Sequence, residues 1–329
     1  MGDPAGIGPE VALKVALKKP SRCRLVVLGD LGVLRDTVKR FGLQVTPSAW
    51  EPTLPYPRIA QTLPVIELSH LDVAQRQPGN PTPIGGENSY RYVEAAVRLA
   101  QANVLQGIVT APISKAMWHA AGRDYPGHTE LLASLTHTPD IRMMLVGNRL
   151  RVILVTTHLA LSQVPGALSS ERILKTIRIT VEHLARFHGI VRPRLAVAGL
   201  NPHAGEAGAF GDEEKQIIAP AVQQARAQGL TAEGPFPADT VFVRATRGEF
   251  DGVICLYHDQ GLIPLKLLSW EDGVNVTIGL PIVRTSPDHG TAFDIAGQGK
   301  ADPRSMHAAL RLAVHMTQHR SMHESSHLS

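Results

Sequence analysis

The sequence predicts an α/β fold with a mixed, mostly parallel sheet, and three observations carry that reading. Apolar runs of strand length alternate with amphipathic helical stretches along all 329 residues. Two runs, Arg142 to Val146 and Arg151 to Thr156, flank Gly147-Asn148, a hairpin turn that adds an antiparallel step. Three further runs end on a histidine motif, at the strand ends where open α/β sheets bind ligands.

The elements follow in order. Met1 to Glu10 is a Gly-rich turn that runs into the helical pattern Val11 to Leu17. Such a turn normally follows a strand, so a short apolar strand is expected upstream of Gly2. Arg24 to Leu28 reads as a strand and Leu31 to Arg40 as a helix. Pro47 to Pro64 and Gln77 to Pro83 read as loops, and Pro64 to Leu68 as a strand. Glu87 to Asn103 is helical, with Val93, Ala96, Val97 and Ala100 on one stripe. Gly107 to Thr110 is the next strand. Ser170 to His188 is a helix capped by Ser169 or Ser170. Asp212 to Gln228 is a helix closed by Gly229, kinked or split by Pro220. The last helix runs from about Pro303 to His319. His315, His319, His323 and His327 recur one helical turn apart, but Ser321, Ser325 and Ser326 favour a solvated, frayed end over a metal site.

Composition narrows the function. A 43% hydrophobic share supplies a core, and the length fits two domains or one large one. The net charge of +4 is spread over scattered lysines and arginines, and only 5% of residues are aromatic, which argues against a nucleic-acid partner. Cys23 and Cys255 are the only cysteines and form no CxxC, as in a reducing cytoplasm. No stretch approaches the ~20 apolar residues of a membrane span, and no signal-peptide pattern is read. A cytoplasmic location is expected.

The histidines point to chemistry. Arg151 to Thr157 leads into His158, Arg194 to Leu200 into Asn201-Pro-His203, and Gly252 to Tyr257 into His258. Three imidazoles at one sheet edge match a catalytic divalent ion with an open position. Any one alone, in a chain with 15 His, reads as structural; the repeated pattern favours a shared site. Asp259 is placed to orient a ligand. Lys266, Asn275 and Arg284 recur at nine-residue intervals and suit a phosphate monoester, although each read singly is a surface residue. Thr129, in Gly127-His128-Thr129-Glu130, is either a helix cap or a ligand contact. The loop Asp288 to Gly297 offers backbone N–H groups and Asp294 to a cofactor, yet is neither G-x-G-x-x-G nor a Walker loop. Gly6 and Gly8 make a tight turn that either binds anions or packs closely.

Taken together, Gly2 to Glu10, Gly127 to Glu130, Thr157 to Leu159, Leu200 to Glu206, Pro237 to Thr240, Tyr257 to Gly261, Gly273 to Asn275 and Arg284 to Ser286 resemble the 4-hydroxythreonine-4-phosphate dehydrogenase family, in order along nearly the whole chain. The resemblance implies a three-layer αβα architecture like the isocitrate and isopropylmalate dehydrogenases, with two domains and a cleft. Residues 1–125 plus 288–329 would form a cofactor-side domain, and 126–287 a metal, substrate and dimerisation domain. It implies NAD-dependent oxidation of 4-phosphooxy-L-threonine to 2-amino-3-oxo-4-phosphooxybutanoate, which decarboxylates to 3-amino-2-oxopropyl phosphate in vitamin B6 (pyridoxal phosphate) synthesis. It also implies a homodimer with shared active sites. The ligands of Zn²⁺, or of another divalent ion such as Mg²⁺ or Co²⁺, would be His158, His203 and His258, with His258 from the partner subunit. Substrate contacts would be His128, Thr129, Lys266, Asn275 and Arg284. The cofactor, NAD or NADP, would meet His289, Gly290, Thr291 and Asp294.

In such an enzyme the metal would ease loss of the substrate hydroxyl's proton, hydride would leave the same carbon, and the new ketone would favour loss of CO₂. Asp239 and Asp259 are the candidate bases, and either also serves to orient a ligand. Three alternatives stay open: a sister dehydrogenase acting on 4-phosphothreonate or 4-phosphoerythronate, a metal-dependent hydrolase or aldolase, and a non-catalytic metal-binding module.

Overall fold

The computed structural model describes residues 1–21 and 23–326. Its first half runs α1 (Gly8–Leu17), β1 (Val27–Asp30), α2 (Leu31–Phe41), β2 (Thr46–Ala49), β3 (Thr62–Ser69), α3 (Pro83–Gln101), β4 (Gly107–Val109), α4 (Lys115–Ala120) and α5 (His128–Leu135). Then follow β5 (Arg142–Val146), β6 (Arg151–Leu154), the short α6 (Val164–Ala167), α7 (Ser170–His188), β7 (Leu195–Ala198), α8 (Ala219–Ala227), β8 (Ala232–Phe236), α9 (Ala238–Thr246), β9 (Gly252–Cys255), α10 (His258–Ser269), β10 (Val274–Ile278), β11 (Val283–Pro287) and α11 (Arg304–Ser326).

Contacts divide the described residues into two compact units: those within 1–139 with 280–314, and 140–279 with 315–326. In the first unit β1, β3 and β2 pair in parallel in that order, and β4 pairs in parallel with β11. Leu13, Leu31 and Leu34 of the helices close over Val27, Leu63 and Val65 of the strands. In the second unit the order is β10-β5-β6-β9-β7-β8. There β10–β5 and β5–β6 are antiparallel and the remaining pairs parallel. The α/β class and the mixed sheet follow the expected alternation. Val152, Leu154, Ala196, Ala198, Val253 and Cys255 form one apolar face, covered by Val241 and Ala245 of α9 and Leu262 and Leu265 of α10. Ile153, Leu195, Val197 and Ile254 have the opposite parity and are equally buried, so both faces need a helical layer.

Several element bounds differ from expectation for local reasons. β1 covers Val27–Asp30, rather than Arg24 to Leu28, because Asp30 ends the strand and caps the next helix. Its carboxylate accepts from the N–H of Val33 (3.0 Å) and of Leu71 (2.7 Å). β2 overlaps the start of the stretch read as a loop; Pro47 is tolerated because β2 is an edge strand. α3 starts at Pro83, ahead of Glu87, since Thr82 caps it and Pro is favoured in the first turn. Pro220 does split its helix: a π-helical turn, Glu214–Ile218, precedes α8. α10 was hidden by Gly261 and Pro264, which it carries inside. α11 continues to Ser326 as helix, past the expected end at His319 and through the serines read as frayed; His327 lies outside the described residues. Both cysteines are free thiols.

Asp3 supplies a stability prediction. It is fully buried, one oxygen accepts from the N–H of Ala5 (2.9 Å), and the other has no partner. Burial raises its pKa to about 6, above the ordinary 3.8. A raised acid favours folding when protonated, so its cost is absent below about pH 4 and complete above about pH 6. Asp3→Asn, which keeps the acceptor for Ala5, is expected to gain up to about 3 kcal/mol at pH 8 and nothing near pH 3.5. Urea unfolding at the two pH values checks this; an equal effect at both contradicts it.

Candidate active site

Three parallel neighbours, β6, β9 and β7, deliver the histidines. Beyond β6, Val155 N–H donates to Cys255 O (2.8 Å) and the buried Thr156 hydroxyl to Leu256 O (2.7 Å). These bonds lash the end of β6 to the end of β9, and the His158 and His258 rings lie 5.6 Å apart. His258 is the first residue of α10, with Nδ1 2.7 Å from the Asp259 carboxylate. A carboxylate only accepts, so Nδ1 carries the proton and Nε2 is left for a metal.

His203 is held differently. Residues His203 to Ala207 all have positive φ, from 43° to 82°, a left-handed turn in which only Gly205 is unstrained. The buried Glu214 offsets that strain: its carboxylate accepts from Leu200 N (2.7 Å), Asn201 N (2.7 Å) and Asn201 Nδ2 (3.0 Å). Buried Gln260 joins the other ends, accepting from Leu256 N (2.7 Å) and donating to Gly199 O (2.6 Å). Sequence reasoning missed both positioning residues; a Glu in a helix and a Gln after a histidine carry no signal by themselves.

The His203 ring meets Phe210 at 6.2 Å, and among the described residues no group of three or more His, Cys, Asp or Glu is arranged to hold a metal. One chain therefore brings His158 and His258 together without His203, whereas the resemblance implied that His258 comes from the partner subunit. Asp239 is exposed in the first turn of α9. Lys266, two turns along α10 from His258, places its ammonium 5.6 Å from the Trp270 ring centre. Asn275 is half-buried on β10.

In the other unit, Arg284 of β11 is 3% exposed and donates to the Thr110 hydroxyl at 2.8 Å. Burial lowers its pKa to about 10, which leaves it charged at neutral pH. His128, first residue of α5, packs edge-on against buried Trp118 at 5.7 Å. Burial, and then the charges of Arg284 and Lys115, hold its pKa well below 6.5. Its Nε2 is buried without a partner. A fixed cation beside a neutral imidazole with an unused nitrogen suits a phosphorylated ligand. Thr129, the next residue, is half-buried.

The loop after β11 rests on the Gly-rich start of the chain. Thr291 O accepts from Ile7 N (3.0 Å), and a Cβ on Gly6 would lie 3.0 Å from that oxygen. Gly6 thus serves close packing, one of the two roles its motif offered. Lys14 donates to Gly299 O (3.0 Å) and Ala301 O (2.7 Å), which fixes the loop's far end. His289 has a buried, unpartnered Nε2, while Gly290 and Asp294 are exposed.

An α/β framework with imidazoles at parallel strand ends and a buried guanidinium near a neutral imidazole is the kind of arrangement that small-molecule enzymes use. A family model described as pyridoxal phosphate biosynthetic protein PdxA matches residues 21–313. The chain is 48% identical over 317 residues to 4-hydroxythreonine-4-phosphate dehydrogenase of Desulforapulum autotrophicum, covering 95% of this chain and 93% of that one. It is 46% identical over 323 residues to D-threonate 4-phosphate dehydrogenase of Salmonella typhimurium, covering 96% and 97%. The crystal structure of 4-hydroxythreonine-4-phosphate dehydrogenase from Klebsiella pneumoniae matches with a TM-score of 0.88 and 44% identity, over 97% of this chain and 96% of that one. The chain belongs to the PdxA family of pyridoxal phosphate biosynthetic proteins and is a dehydrogenase. Among the described residues no helix is long and apolar enough to cross a membrane.

Proposed function

We propose that this dehydrogenase oxidises 4-phosphooxy-L-threonine to 2-amino-3-oxo-4-phosphooxybutanoate, which loses CO₂ to give 3-amino-2-oxopropyl phosphate. The observation that carries the reading is the buried Arg284 beside His128. Lys266, Asn275 and Arg284 grip the phosphate, with His128 and Thr129 on the substrate. His158, His203 and His258 hold the divalent ion, Zn²⁺ by preference for imidazole; the loop bearing His289, Gly290, Thr291 and Asp294 holds NAD. When bound, the ion supplies Lewis-acid charge to the substrate hydroxyl and to the ketone that replaces it, and NAD supplies the hydride acceptor. Asp259 already orients His258, so Asp239 is assigned to take the hydroxyl proton. The free thiols fit a cytoplasmic setting.

The active form we propose is a homodimer. Support comes from α10 and the residue after it: Ile263 is 60% exposed, Leu267 82% and Trp270 78%, on the same segment as His258 and Lys266. Such an apolar patch marks an interface, and a second copy would supply the donor that one chain lacks. Leu267→Glu is expected to give monomers on size-exclusion chromatography and to cut turnover at least tenfold, since the site would be incomplete. A dimer with normal turnover contradicts this.

A second reading, oxidation of D-threonate 4-phosphate, is favoured by the near-equal identity to the Salmonella typhimurium relative. Both substrates and their unphosphorylated forms should be assayed with purified protein, NAD and Zn²⁺. The proposal expects the highest kcat/KM for 4-phosphooxy-L-threonine. Preference for D-threonate 4-phosphate would establish the second reading, and no NADH from any of them would overturn both.

A further inference from the structure

Outside the residues given roles above, α7 and α11 gather four histidines. Ring centres lie 5.5 Å apart for His183 and His188, 6.1 Å for His188 and His315, and 4.4 Å for His315 and His319. His183 and His188 are buried in the last two turns of α7, and the Nε2 of each is buried without a hydrogen-bond partner. The His319 ring lies against Gly189, the left-handed cap of α7 (φ 70°); a Cβ there would sit 2.8 Å from His319 Nδ1. His315 is exposed and His319 half-buried, so a dissolved ion can reach them.

We propose that His315 and His319 chelate a divalent transition-metal ion of the Zn²⁺, Ni²⁺ and Cu²⁺ class, with His188 as an available third nitrogen. Two histidines one turn apart on a helix present their rings to the same side. All-imidazole donors suit Zn, Ni and Cu, not Mg or Ca. Metal–nitrogen bonds of about 2.0–2.1 Å put two rings on one ion roughly 4.5–5 Å apart, close to the observed 4.4 Å. The 6.1 Å to His188 is longer, so the third bond needs a shift of about 1 Å. That agrees with the lack of a ready three-donor cage among the described residues. Burial lowers the pKa of His183 and His188, and burial, His319 and Arg151 lower that of His315, which keeps these rings in the neutral form that binds metal. The opposing cations are Arg151, engaged with Asp251 O, and Arg186 beside His183. A bound ion would pin α11 to the cap of α7 and stabilise the folded state.

The test uses the full chain carrying His158→Ala, so that the proposed catalytic ion does not interfere. Zn²⁺ is titrated calorimetrically, and Cu²⁺ is read by electron paramagnetic resonance. The expected result is one bound equivalent, nitrogen hyperfine splitting and a raised Tm. His315→Gln, at an exposed position, and His319→Gln should each weaken binding tenfold or more by loss of chelation, and His188→Gln should do so to a lesser degree. With His158 intact, His315→Gln should keep dehydrogenase turnover. No binding in the His158→Ala chain, or binding unchanged by His315→Gln and His319→Gln, would overturn the proposal without touching the catalytic reading.

Discussion

Alanine at His158, His203 or His258 is expected to lower kcat by about three orders of magnitude or more with the fold intact. A divalent ion held by these histidines would supply several kcal/mol of Lewis-acid stabilisation at the reacting oxygen, and each 1.36 kcal/mol is about a factor of ten in rate. None of the three belongs to the core: His158 and His203 are exposed and His258 is half-buried. Unfolding midpoints in the apo state should therefore move little, while metal content and turnover fall together. Asp259→Asn should cost less, because it disturbs only the bond that orients His258 (2.7 Å). Near-normal kcat with full metal content in any alanine variant would remove that histidine from the site.

Arg284→Met should raise KM for the phosphorylated substrate by about 10- to 100-fold, as a charge-assisted hydrogen bond contributes roughly 1.5–3 kcal/mol. Methionine fills similar space beside Thr110 and removes a charge that burial already disfavours, so stability should hold. Affinity for NAD should stay nearly constant. The comparison of the two KM values is the readout; equal losses for substrate and cofactor would take Arg284 off the phosphate.

Much of the fold was legible in the sequence because the apolar runs are strands and the candidate histidines follow their ends. The runs ending at His158, His203 and His258 are β6, β7 and β9, and their parallel pairing brings those ends to one edge. The Gly147-Asn148 turn gave the hairpin, and Ser169 capped its helix where the pattern placed it. What escaped was set by tertiary contact. Pro47 sits in a strand because that strand is an edge, and α10 survives Pro264 because its apolar side packs on β5, β6 and β9. Glu214 holds the backbone of Leu200 and Asn201, and Gln260 ties Leu256 to Gly199, 61 residues before it; such bonds across the chain leave no local pattern. The packing of Gly6 on Thr291 joins residues near opposite ends of the chain, so the motif alone left its role open.

The central claim is that a histidine-held ion activates a phosphorylated hydroxy acid for hydride transfer. Its most direct test is the initial rate of NADH formation from 4-phosphooxy-L-threonine by protein stripped with a chelator, then resupplied with Zn²⁺. The account predicts that the rate disappears with the metal, returns on its addition, and is absent throughout for 4-hydroxy-L-threonine lacking the phosphate. An undiminished rate in metal-free protein, or equal oxidation of the unphosphorylated compound, would contradict it.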